Sequence, residues 1–141
     1  MSPSPVVPPP LIEVVAAVVV RPDGRTLLVR KRGTAAFMNP GGKPEAGEEQ
    51  RDALVRELQE EIGLLVESTA LQPLGTFETD AANEPGHALV AHVFLLELAS
   101  ADHRVAAEIE ESRWVDPAAP GDLPLAPLAA EHLLPWLLAH R

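Results

Sequence analysis

The chain has no cysteine. That excludes disulfides, thiolate zinc sites and a cysteine nucleophile, and it fits a reducing compartment. Tyrosine is also missing, and there are only two tryptophans and three phenylalanines, so few rings are on hand to stack a nucleobase. Positive charge is scarce. Eleven Lys and Arg against 21 Asp and Glu leave a formal charge of −10, a balance that repels nucleic-acid polymers and anionic membranes. Long apolar runs are missing too: the longest, Val14 to Val20, falls far short of the ~20 residues of a membrane span. No Lys or Arg precedes it, whereas a signal peptide would carry a charged leading region. Together these absences point to a cytoplasmic protein that works on small molecules.

What is present suits one domain with one core: 141 residues, 46% of them hydrophobic. Prolines cluster at both ends, so residues 1–10 are expected to form an extended arm, able to embrace a second subunit in a homodimer, and residues 11–141 the folded domain. Ile12 to Val20 is rich in β-branched residues and predicts a buried strand. Pro22-Asp23-Gly24-Arg25 is a turn signature, with Thr26 to Lys31 returning as a strand. Gly33 to Lys43 reads as a loop. From about Glu49 to Ile62 the pattern becomes helical, and Gly63 is a natural stop. Leu71 to Thr79, Ala88 to Leu98 and the short Arg113 to Val115 predict strands. Pro127 to Ala139 predicts a second helix, kinked at Pro135. Strands before and after one central helix imply an α/β (α+β) fold, a mixed sheet flanked by helices.

The central helix carries the chemistry. At 100° per residue, taking Glu57 as 0°, Glu60 falls at about −60° and Glu61 at about +40°. The apolar stripe of Leu54, Leu58 and Ile62 lies beside that arc, so the acids sit at the margin of the buried face and can converge on a cleft. Close carboxylates repel by about a kcal/mol or more each. Only Arg56 is a nearby cation in the helix, so a hard divalent ion such as Mg²⁺ or Mn²⁺ is the natural complement. Just before the helix, Gly41 and Gly42 allow the backbone to approach a ligand or metal, with the Gly41 carbonyl as one candidate ligand. Lys43 is within reach of a phosphate.

Gly42, Glu48, Arg56-Glu57-Leu58, Glu60-Glu61 and Gly63-Leu64 fill a spaced pattern that resembles the Nudix box, with no departure at its fixed positions. A chance match in such a chain has odds of roughly 10⁻⁸. The resemblance implies an α/β/α sandwich and hydrolysis of a nucleoside diphosphate linked to another moiety, by water attack at phosphorus. It also implies that Glu57, Glu60 and Glu61 hold metal, with one of them a general base. Gly41 offers its carbonyl, and an ion pair between Glu48 and Arg56 braces the loop. A further glutamate from a later loop commonly joins the metal, and Glu108 is favoured here over Glu110 and Glu111.

Substrate choice is expected to lie outside the box. Arg30 and Arg32 share one face of their strand, with Lys31 on the other. These arginines, Asn39 and Lys43 are the candidate substrate contacts, although strand-end charges and a turn-forming Asn are ordinary features. Trp114 and Trp136 are expected in the core, and the five histidines show no ligand spacing. Within the family, a downstream Tyr accompanies dinucleoside polyphosphate substrates. A Pro about 16 residues past the box accompanies ADP-ribose. This chain has no Tyr and carries Asp80 at the second position, with Pro85 nearest, which favours a nucleoside-triphosphate-type substrate of the MutT-like kind. The alternative is a Nudix-fold protein that binds a nucleotide and regulates without turnover.

Overall fold

The computed structural model describes residues 10–82, 84 and 86–140. Residues 1–9 of the arm expected over residues 1–10, and Pro85, lie outside them. Among the described residues there are six strands: β1 (Leu11–Val20), β2 (Thr26–Lys31), β3 (Gly41–Gly42), β4 (Gln72–Asp80), β5 (Ala88–Glu97) and β6 (Ile109–Val115). The helices are α1 (Gln50–Ile62) and α2 (Leu134–Ala139), the latter entered through a widened helical turn at Leu128–Leu133.

The main sheet runs β4-β5-β1-β2-β6, with β3 attached to β1. β1 and β5 pair in parallel along their full length, from Leu11↔Ala88 to Val20↔Glu97, and the other pairings are antiparallel. The sheet is therefore mixed, and its parallel centre explains why Val15 to Val19 is a continuous apolar run. A strand covered on both faces has no polar side to alternate with. Val15, Ala17 and Val19 pack towards Leu54, Leu58 and Ile62 of α1. Ala16 and Val18 pack towards Leu128 and Leu133 on the opposite face. This is the expected sandwich of helix, sheet and helix.

β1 and β2 part early. The turn closes between Arg21 and Arg25, where Asp23 Oδ1 accepts from the Arg25 N–H at 3.0 Å, and Val20↔Thr26 is their strand pairing. Residues 37–42 then wedge into the opening. Met38 exchanges backbone hydrogen bonds with Val29 of β2, and Ala17 of β1 donates to the Pro40 carbonyl at 2.8 Å. The expected featureless loop thus ends as a short strand, because the sheet edge exposed by the parting strands must be paired.

α1 ends at Gly63, which is left-handed (φ 65°) and donates to the Gln59 carbonyl. The last predicted strand is longer than Arg113 to Val115, because residues from Ile109 to Ser112 also pair with β2. Pro135 falls in the first turn of α2. It has no N–H to give, and the widened turn falls just before it. Among the described residues, no helix is long and apolar enough to cross a membrane.

Candidate active site

The wedge brings the glycine loop against the acidic helix. A side chain at Gly41 would meet the Val15 carbonyl oxygen at 2.0 Å and Ala16 Cα at 2.8 Å, and one at Gly42 would meet the Glu57 carboxyl at 2.5 Å. The two glycines therefore make room for the protein's own β1 and its own glutamate. In the sequence alone, the pair reads as room for a ligand or metal.

Exposure follows helical angle. Glu61, nearest the apolar stripe, is 2% exposed; the Glu57 side chain is 13% exposed and that of Glu60 56%. Glu61 Oε1 accepts a hydrogen bond from the Gly41 N–H at 3.0 Å. Burial pushes its carboxyl up to about 8, Gly41 offsets this only in part, and the neighbouring Glu57 and Glu108 push the same way.

Arg56 is the hub of the rim. Its Nη2 and Nε donate to the two oxygens of Glu48 at 2.8 and 3.0 Å. Nη1 donates to Glu57 Oε1 at 2.8 Å, and Nη2 also reaches the Lys43 carbonyl at 3.2 Å. The fork holds the Glu48 carboxyl down at about 2. Glu57 shares the same arginine but is still raised, because its desolvation outweighs the single bond it receives. Glu60 lies 3.8 Å from Arg56 Nη1.

The later loop is stitched to the C-terminal end of α1. Ala106 donates to the Glu61 carbonyl and Arg104 to that of Ile62, both at 2.9 Å. Ala107 takes a left-handed conformation (φ 52°), and Glu108 follows at the site. There its carboxylate meets Lys31 Nζ at 3.3 Å. Glu110 pairs instead with Arg32 at 2.7 Å and Glu111 with Arg30 at 3.2 Å.

A cavity of about 470 Å³ opens between these elements. Gly41, Gly42, Lys43, Arg56, Glu57 and Glu108 line its polar end, with Lys31. Ile12, Val14, Leu89, Pro127 and Leu128 line its apolar part, and Asn39 also faces it. Arg30 and Arg32 are not in its lining. Arg30 also donates to the Thr34 carbonyl. Lys43 Nζ lies 3.6 Å from Glu84 across the mouth. No aromatic ring lines the cavity among the described residues. Trp114 packs on the core beside α1 with Arg21 over its ring, and Trp136 stacks on His140. Lys31 is the cavity cation left out of the substrate contacts above. Strand alternation had already placed it opposite Arg30 and Arg32.

The donors gathered here are all carboxylate and carbonyl oxygens, the set a hard divalent cation takes. The buried acidic charge at Glu61 is under-compensated, so the residues fit such an ion chemically. Among the described residues, however, no three acidic or imidazole groups are already drawn together tightly enough to hold one. Neither Glu60 nor Glu61 lines the cavity: Glu60 is mostly exposed beside Arg56, and Glu61 is buried.

Residues 10–137 match the family described as the NUDIX domain. A CTP pyrophosphohydrolase from Escherichia coli is 34% identical over 82% of this chain and 88% of its own length. An ADP-ribose pyrophosphatase from Methanocaldococcus jannaschii is 28% identical over 70% of this chain, which spans 58% of that protein. The crystal structure of a MutT NUDIX hydrolase from Burkholderia pseudomallei superposes with a TM-score of 0.71 at 27% identity, covering 92% of this chain and 96% of that one. The chain belongs to the Nudix family, hydrolases that act on acid anhydrides in phosphorus-containing compounds.

Proposed function

We propose that the protein is a divalent-metal-dependent pyrophosphohydrolase that cleaves a nucleoside diphosphate linked to another moiety, with nucleoside triphosphates as the favoured substrates. The observation that carries this reading is the Glu61 carboxylate. It is buried, takes one hydrogen bond from the glycine loop, and stands beside Glu57 and Glu108, which line a cavity that also presents lysines.

Glu57, Glu60, Glu61 and Glu108, with the Gly41 carbonyl, would hold the ion, Mg²⁺ or Mn²⁺. A bound ion of this kind polarises phosphoryl oxygens and makes a water acidic enough to attack at neutral pH. Arg56 and Glu48 keep the loop fixed on α1 during the reaction. Lys31 and Lys43 supply positive charge for the phosphates. One of the glutamates takes the proton of the attacking water; an oxygen–phosphorus bond forms at the attacked phosphorus and the anhydride bond breaks.

The absence of aromatic lining and a volume of about 470 Å³ suit a single nucleotide held by aliphatic walls. The testing experiment is turnover of nucleoside triphosphates, nucleotide sugars and ADP-ribose with Mg²⁺ or Mn²⁺ at mildly alkaline pH, with products resolved. Nucleoside monophosphate plus pyrophosphate is the expected outcome. Turnover confined to nucleotide sugars or ADP-ribose would overturn the triphosphate preference. No turnover of any of them would favour a nucleotide sensor.

A further inference from the structure

Asn39 is the buried polar side chain of the wedge, 8% exposed, and it lines the cavity. Its amide nitrogen donates to the Ala17 carbonyl at 3.4 Å. Its Oδ1 has no hydrogen-bond partner within the protein. The Ala17 carbonyl fixes which way the amide faces, because the reverse orientation would set two acceptors against each other. The oxygen is enclosed as the side chain stands, and a turn of the amide towards the cavity that the residue lines brings it to whatever enters. A buried acceptor without a donor is costly, and proteins rarely keep one without a use.

Accepting the nucleotide reading above, we propose that Asn39 Oδ1 accepts a hydrogen bond from the exocyclic amino group of the base. The enzyme then prefers cytosine and adenine nucleotides over their oxo counterparts, uracil and hypoxanthine. A carbonyl at that position would face Oδ1 acceptor to acceptor and leave both unpaired. With no ring to stack on, the base is otherwise held by aliphatic contact, which reads size and leaves the donor–acceptor pattern unread. Asn39 therefore determines specificity for the amino group.

The test compares matched pairs, CTP with UTP and ATP with ITP, by kcat/KM with Mg²⁺. The same pairs are compared by equilibrium binding with Ca²⁺ in place of Mg²⁺, which reads the preference whether or not turnover occurs. The wild-type protein is expected to favour the amino member of each pair by about ten- to a hundredfold, the usual effect of stranding a buried acceptor. Asn39→Leu, similar in size and lacking the acceptor, is expected to bring both ratios close to one. Equal handling of the pairs by the wild-type protein would overturn the proposal, and so would a ratio that survives in Asn39→Leu. An amino preference in binding without turnover would leave the proposal standing and sink the hydrolase reading instead. If Asn39→Leu does not fold, the wild-type ratios alone decide.

Discussion

Glu61 and Glu60 are neighbours in sequence with opposite fates. One is buried against the glycine loop and the other is mostly in water, because 100° of helical rotation carries the second off the margin of the core. That difference was legible in the sequence once the apolar stripe was drawn beside the acids. The rise in the Glu61 pKa was not legible, since it depends on how completely β1 and the later loop close over the carboxyl. Glu61→Gln keeps the shape and the bond from the Gly41 N–H and removes the charge. It is expected to lower kcat by about a hundredfold or more, the range for losing a group that positions or deprotonates the attacking water. Thermal unfolding is expected to show a midpoint no lower than wild type. Full turnover in this variant would show that Glu61 neither holds the ion nor takes the proton.

At the scale of elements, the strand pair β1–β2 and the helix α1 were readable because their signals are local: β-branched runs, a turn, a stripe, a glycine stop. The wedge was not readable. Its pairing to β1 depends on β2 leaving β1 early and on β5 occupying the other side, and those partners lie far away in sequence. The same applies to β6, whose first half, Ile109 to Ser112, is charged enough to read as loop until β2 pairs with it. The wedge also separates two glycines that look alike in sequence. A methyl group at Gly41 collides with fixed backbone of β1, whereas one at Gly42 collides with the end of a side chain. Gly41→Ala is therefore expected to cost about 2–4 kcal/mol of stability, as overpacking against an element that cannot yield does. Gly42→Ala is expected to displace the Glu57 carboxylate, lowering kcat/KM about tenfold or more with a midpoint within a few degrees of wild type. Denaturant unfolding and steady-state kinetics on both variants separate the two. If Gly42→Ala kept full activity, the Glu57 position would not matter to catalysis.

For the whole molecule, a net charge of −10 and an acidic cluster at the sheet's centre mean that folding itself crowds negative charge. The direction of the resulting pH dependence follows from the shifted groups. The Glu61 carboxyl moves from 4.5 in the unfolded chain to about 8 in the folded one. Below 4.5 both states hold the proton. As pH rises from there to about 8, the unfolded chain releases its proton first, so the folded state binds more protons and loses stability. Glu57 is raised as well and adds in the same direction. Glu48 acts oppositely: held at about 2 by Arg56, it contributes stability above its ordinary range that is lost as pH falls through about 2. Without divalent ions, the melting temperature is thus expected to decline between about pH 5 and 8, and Glu61→Gln to flatten part of that decline. An ion that binds only the folded state adds about 2.7 kcal/mol at a hundred times its Kd. It binds the carboxylates in their charged form, so it gains as they deprotonate. Added Mg²⁺ is therefore expected to raise the melting temperature more at pH 8 than at pH 5. Melting curves at the two pH values, with Mg²⁺ and with a chelator, measure this directly. A Mg²⁺ effect of equal size at both, or none at either, would separate the buried carboxyls from metal binding.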